Sequence, residues 1–425
     1  MSIQKDLLEL LANGLISEEQ AKNIQVYYQS NKKSHTNTLT MIFAAIGAVL
    51  IGLALILILA HNWDNMHQYS KIGIAFLPLL LSHVLTGFTL WRKSDQPLWK
   101  ETSAIFLFFS LGACMALIAQ IYHIQDSGGS FFLTWAALSI PVIYVLRSSA
   151  MSILCILCIS YFNNMVYGFD SSDNYKDFIY YLYLAAILPH YLYLIKEKST
   201  SNITFIHHWV VAISLLVCTA TLANTAAYTL FLLYMALFTF FYSLGKSHYF
   251  NKTPSWANAF SIVSQAGIFI ILIILSFDNV WEGISREYDI EKIVFSIEFL
   301  MTLIYAVLFL FFYITNQVFK AEHLLDFFLI ITPFAFIFIM NVKYPSFFIN
   351  LLTFALGLMV IVRSIRQESL ASLNFGLLMI SILILCRFFD TEMSYLIRGL
   401  VFALLGIAFF VTNYFMIRKF NKDAQ

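Results

Sequence analysis

Apolar residues in this chain come in long runs separated by short polar clusters, and the first run sets the pattern. Leu39 through Ala60 is 22 residues without a charge, stopping at His61-Asn62-Trp63-Asp64-Asn65. A helix of that length extends about 33 Å, enough to cross a hydrocarbon core of roughly 30 Å. Trp beside a charged residue at its end suits the membrane interface, where an amphipathic ring sits at headgroup depth. The same theme recurs at about 72–91, 102–122, 131–146, 149–165, 178–195, 207–226, 227–244, 257–277, 293–315, 324–340, 345–362, 370–386 and 396–416. Residues 207–244 carry no Asp, Glu, Lys or Arg, and His207 and His208 are their only basic side chains. As one helix they would extend about 57 Å, nearly twice the core thickness, so two spans turning near Asn224-Thr225 are expected.

Charge placement supports that division. With 14 spans and the N-terminus inside, the cytoplasmic segments hold 18 Lys and Arg and the opposite side 7; merging the doubtful pair gives 15 against 10. The positive-inside rule therefore favours 14 spans with both termini cytoplasmic. Backbone groups inside a bilayer must be satisfied within the segment, so the spans are helices. The expected fold is all-α: a polytopic transmembrane helix bundle over 39–416, a cytoplasmic helical hairpin over 1–38 and a cytoplasmic tail over 417–425. In the hairpin, Asn13-Gly14 breaks a leucine-rich stretch, and Ser17-Glu18-Glu19-Gln20 has the form of a capping box. Pro78, Pro141, Pro189 and Pro333 fall inside spans and are expected to kink them. Small residues at Gly47, Gly52, Gly357, Gly376, Gly399 and Gly406 would let helices approach closely.

Composition narrows the chemistry. The 425 residues are 60% hydrophobic and 12% charged with net charge +1, which points to a lipid-embedded chain with no nucleic-acid partner. The five cysteines all lie in apolar runs, so Cys155-x-x-Cys158 reads as helix packing and not as a metal or redox motif. There is no G-x-x-x-x-G-K-[ST], H-E-x-x-H or G-x-S-x-G, and no dense Cys/His cluster. Neither a cofactor nor a metal is expected.

Two groups of polar residues remain as candidates. Ionisable residues within spans usually face the bundle interior or a water-filled cavity, and here they are His83, His190 and Glu298. The uncharged Gln265, Asn350, Asn374 and Asn413 accompany them. The second group lies in loops expected outside: His61, Asn62, Trp63 and Asp64 after the first span; Gln120, Tyr122, His123 and Asp126 after the third; Arg387 and Asp390 after the thirteenth, with Arg398 nearby. Imidazole, carboxylate and guanidinium together could bind an anion or metal, or relay a proton. The alternative is an interfacial belt of aromatic rings with solvated charges beside them.

Leu10-Leu11-Ala12-Asn13-Gly14-Leu15-Ile16-Ser17-Glu18-Glu19-Gln20-Ala21, the first span ending Asn62-Trp63-Asp64, and Gln120-Ile121-Tyr122-His123 followed by Trp135 and Pro141 together resemble the bacterial membrane proteins grouped as domain of unknown function 2157. The tail from Asn374-Phe375-Gly376 through Arg387-Phe388-Phe389-Asp390 to Arg398-Gly399 is similar to related multi-span families. The resemblance implies a multi-pass protein of the bacterial inner (cytoplasmic) membrane with a cytoplasmic N-terminal hairpin; it brings no activity and no catalytic residues.

The pattern points first to a transporter, permease or flippase-like protein for a small polar or amphipathic solute. In that reading Glu298 is the proton or cation site and the outer clusters form its mouth. A membrane-embedded transferase acting on a lipid-linked substrate at the outer face, through Asp64 or His123, is the alternative. A sensor or scaffold signalling to a protein partner through the hairpin is a third.

Overall fold

The computed structural model describes most of residues 10–30, residues 66–124, 129–166, 177–222, 227–287, 296–315, 342–367 and 369–390, and scattered positions at 339 and 396–414. The expected spans 39–60 and 324–340 lie outside the described residues, as do Pro333, Gly47 and Gly52. The chain divides into two compact units, Met1–Phe76 and Leu77–Gln425.

In the first unit, Gly14 adopts φ 66°, a left-handed conformation open to glycine, and its N–H returns to the Leu11 carbonyl. Helix α1 (Glu18–Ser30) then opens with a reciprocal cap. The Gln20 N–H donates to Ser17 Oγ at 3.2 Å, and the Ser17 N–H donates to Gln20 Oε1 at 3.0 Å. Helix α2 (Gln68–Arg92) begins in this unit and continues into the second.

The second unit is helical throughout its described residues. After α2 come α3 (Pro97–Ile121), α4 (Gly129–Leu146), α5 (Ser149–Val166), α6 (Asp177–Glu197), α7 (Asn202–Ala220) and α8 (Ala227–Gly245). They are followed by α9 (Ala259–Leu275), α10 (Asp278–Glu287), α11 (Ile297–Thr315), α12 (Pro345–Arg366) and α13 (Leu370–Asp390). Among the described residues nine helices are long and apolar enough to cross a membrane, or ten if α9 and α10 count as one bent span.

The doubtful stretch 207–244 does form two helices, α7 and α8, but α7 starts at Asn202. Five residues that read as loop are its first turn and more, so His207 and His208 lie within the helix and not at its edge. A second difference follows α9. Residues expected in a loop form α10, turned 88° from α9. Its apolar side, Trp281 and Ile284, is buried, and Trp281 Nε1 donates to the Leu275 carbonyl at 2.6 Å. That bond satisfies a carbonyl in the last turn of α9.

One apolar core joins α3 through α9 with α11; a second joins α8, α9, α10, α12 and α13. Helix α5 is the hub of the first, with Met151, Cys155, Ile156, Ile159 and Phe162 fully buried against α3, α4, α6 and α7. Close approach depends on missing side chains at several glycines. The Trp135 ring lies where a Cβ on Gly112 would stand, 2.4 Å away, and its Nε1 donates to the Phe108 carbonyl at 2.9 Å. Gly357 and Gly376 similarly meet Ile380 and Ile361 across the α12–α13 pair.

Candidate functional site

The expected outer cluster is described only in part: His61, Asn62, Trp63, Asp64, Asp126 and Arg398 lie outside the described residues. Gln120, Tyr122 and His123 are exposed and end α3. His123 takes a left-handed φ of 50°, and the Ile124 N–H reaches back to the Ala119 carbonyl at 2.9 Å, the geometry of a helix stop. Asp390 is the last residue of α13.

Arg387 is anchored elsewhere. Its guanidinium lies 4.8 Å from the Phe277 ring centroid and donates to Ser276 Oγ at 3.3 Å. Asn350 Nδ2 donates to the Ser276 carbonyl at 3.2 Å, and the Ser346 hydroxyl donates to Asp278. Arg387 thus ties the end of α13 to the α9–α10 bend, while α12 is tied to the same bend through Ser346 and Asn350.

Of the ionisable residues in spans, Glu298 is 1% exposed at the start of α11 and His190 is 3% exposed in α6. His83 is exposed on α2, its Nδ1 bonded at 2.8 Å to the Leu79 carbonyl one turn back. A carbonyl accepts only, so this ring is satisfied by its own helix and meets the bundle surface.

The richest polar surroundings belong to α7. Thr204, His207, His208, Ser214, Cys218 and Thr219 are all on its buried side. Towards the C-terminal end the hydroxyls are saturated. Ser160 donates to the Ile156 carbonyl at 2.6 Å, so Ser214, 2.6 Å away, must donate to Ser160, and Tyr180, 2.5 Å from Ser214, must donate to it. Tyr181, Thr219 and Tyr305 form a triangle of hydroxyls at 3.0–3.3 Å. In this group Asn163 Oδ1 alone is left over.

The N-terminal half of α7 is different. Tyr249 donates its single hydroxyl proton to the Ser199 carbonyl at 3.0 Å, so it accepts from His208 Nε2 at 3.1 Å. His208 Nδ1 then accepts from the Tyr191 hydroxyl at 2.7 Å. The chain of donors has one direction, from Tyr191 through His208 and Tyr249 to the α6–α7 connection. Burial pushes the Tyr249 phenol above its ordinary range, which keeps that proton in place.

Beside this closed chain lie two open nitrogens. His207 Nδ1 meets the Ile203 carbonyl at 2.8 Å and must be the donor there, which leaves Nε2 of the neutral ring as an acceptor. Among the described residues no donor reaches that buried Nε2, and the buried His190 Nε2 likewise has no partner among them. The two rings are 6.3 Å apart between centroids. An unsatisfied buried acceptor costs about 1–3 kcal/mol. The field of Glu101 on α3 reaches both rings. Its carboxylate accepts from the Ser148 hydroxyl at 2.5 Å, the Ser149 N–H at 3.0 Å and the Ala150 N–H at 2.9 Å, at the N-terminus of α5 where the helix dipole favours an anion. Among the described residues no group of three or more His, Cys, Asp or Glu could hold a metal ion.

Sequence reasoning singled out His190 but missed Glu101, His207 and His208. The available signal was a histidine pair opening a 38-residue stretch with no Asp, Glu, Lys or Arg.

Residues 8–152 match the family described as a predicted membrane protein (DUF2157). The matched stretch contains α1 through α4 with Glu101 and the Ser148-Ser149 turn, and it ends before His190, His207 and His208. No curated protein and no solved structure matches the chain. The family's description names no activity.

Proposed function

We propose that this membrane protein is a permease for a small polar or amphipathic solute, with its route along the seam between α5, α6 and α7. The observation that supports this is the open acceptor at His207 Nε2, buried beside the open His190 Nε2 in a seam that is polar along its length. A bundle needing only stability would bond such groups or replace them with apolar side chains. The closed hydroxyl network near Ser214 and Tyr305 is the fixed wall of this route, and the imidazoles are its reactive part. With the N-terminus inside, His190 and His207 lie towards the cytoplasm, while Glu298 lies towards the outer face.

The test is uptake of labelled polar solutes by vesicles containing the purified protein. Uptake above that of empty vesicles, reduced in His207→Phe and Glu298→Gln, is expected. Vesicles that take up none of a broad panel, or uptake indifferent to both substitutions, would remove the reading.

A further inference from the structure

We infer that the ion coupled to this route is the proton, held on a water molecule between His190 and His207. The inference rests on the permease reading and adds the identity of the coupling ion. The tautomer of His207 is fixed by the Ile203 carbonyl, so its buried Nε2 carries a lone pair. A buried acceptor needs a donor, and no side chain among the described residues supplies one. The two ring centroids lie 6.3 Å apart, and a buried water is stable where it finds two to four polar partners. His207 Nε2 and His190 Nε2 supply two.

The chemistry of these groups selects the ion. A hard metal cation asks for several oxygen ligands, whereas the gap is lined by ring nitrogens and the Glu101 oxygens already take three donors. Imidazole suits a proton, which one ring nitrogen binds or releases with no other ligand. A hydronium in the gap gives one proton to His207 Nε2, forming the N–H bond and leaving water; release reverses the step with no other reactant. The surrounding ionisable groups come from every neighbouring element. Glu101 on α3 acts on both rings, and Lys198 after α6 acts on His190. Arg147 after α4 lies over the Tyr193 ring, which packs on His190, and Tyr191 and His208 flank His207. Glu101 is the anion available to balance a proton on the pair.

Vesicles containing the protein and a trapped pH-sensitive dye, given an inward-negative potassium diffusion potential, should acidify internally faster than empty vesicles. His207→Phe and His190→Phe should each abolish that difference, and His83→Phe, at the bundle surface, should retain it. Folded Phe variants that acidify like the wild type would overturn the inference. So would sodium-driven solute uptake with a silent dye, which leaves the permease reading standing. Acidification with no solute flux would instead remove the permease reading and the coupling with it. If the Phe variants do not fold, nitrogen-15 histidine spectra of the wild-type protein in nanodiscs decide the matter. Magnetisation transfer from water to His207 Nε2 supports the held water, and its absence overturns it.

Discussion

Glu101 and Ser148, 47 residues apart, are joined by a 2.5 Å hydrogen bond that closes the α4–α5 turn onto the start of α3. Two N–H groups at the head of α5 use the same carboxylate, and Arg147 beside them is held at a positive φ of 51°. Glu101→Gln replaces one acceptor oxygen with an NH2 group facing these donors. It should lower stability by about 2 kcal/mol, measured as reduced thermal unfolding temperature in detergent.

Gly112→Ala should be destabilising by about 1–3 kcal/mol, because the new methyl would overlap the Trp135 ring. Combined with Trp135→Ala, which empties that space, the loss should be less than the sum of the two single losses. Additive losses would show that the ring does not occupy the position over Gly112.

Tyr249→Phe removes both the acceptor for His208 Nε2 and the donor to Ser199. A cost of about 1–2 kcal/mol is expected, with His208 free to change tautomer. Nitrogen-15 spectra should show the His208 ring nitrogens altered and those of His207, fixed by the Ile203 carbonyl, unchanged.

Ser17→Ala should act locally. Loss of the cap costs about 1 kcal/mol of helix stability, so amides in α1 should exchange faster while α3 to α9 keep their protection.

The helical pattern was legible where long apolar runs forced it, including the break between α7 and α8. Gly357 and Gly376 and the Ser17–Gln20 cap were legible too, since each depends on residue type at a fixed spacing. Helix α10 was not, because Asp278, Glu282 and Arg286 made its sequence look like a solvated loop. The first residues of α7 were missed for a related reason: Ser201, Asn202 and Thr204 dilute the apolar signal, although α7 begins there. That error hid the site, since two histidines at a span's edge look solvated and two histidines inside it do not. Glu101 was invisible for a different reason. It sits one residue before an expected span, and its partners are brought to it only by the α4–α5 turn.

The most direct test is whether water reaches position 207. In a protein lacking native cysteines, a His207→Cys thiol should react with a small membrane-impermeant thiosulfonate added from the cytoplasmic side. Cys155, as buried as His207 but surrounded by apolar core, is the reference when retained as the single thiol. Reaction at 207 and protection at 155 are predicted; equal protection of both thiols from either side would contradict a route along the α5–α7 seam.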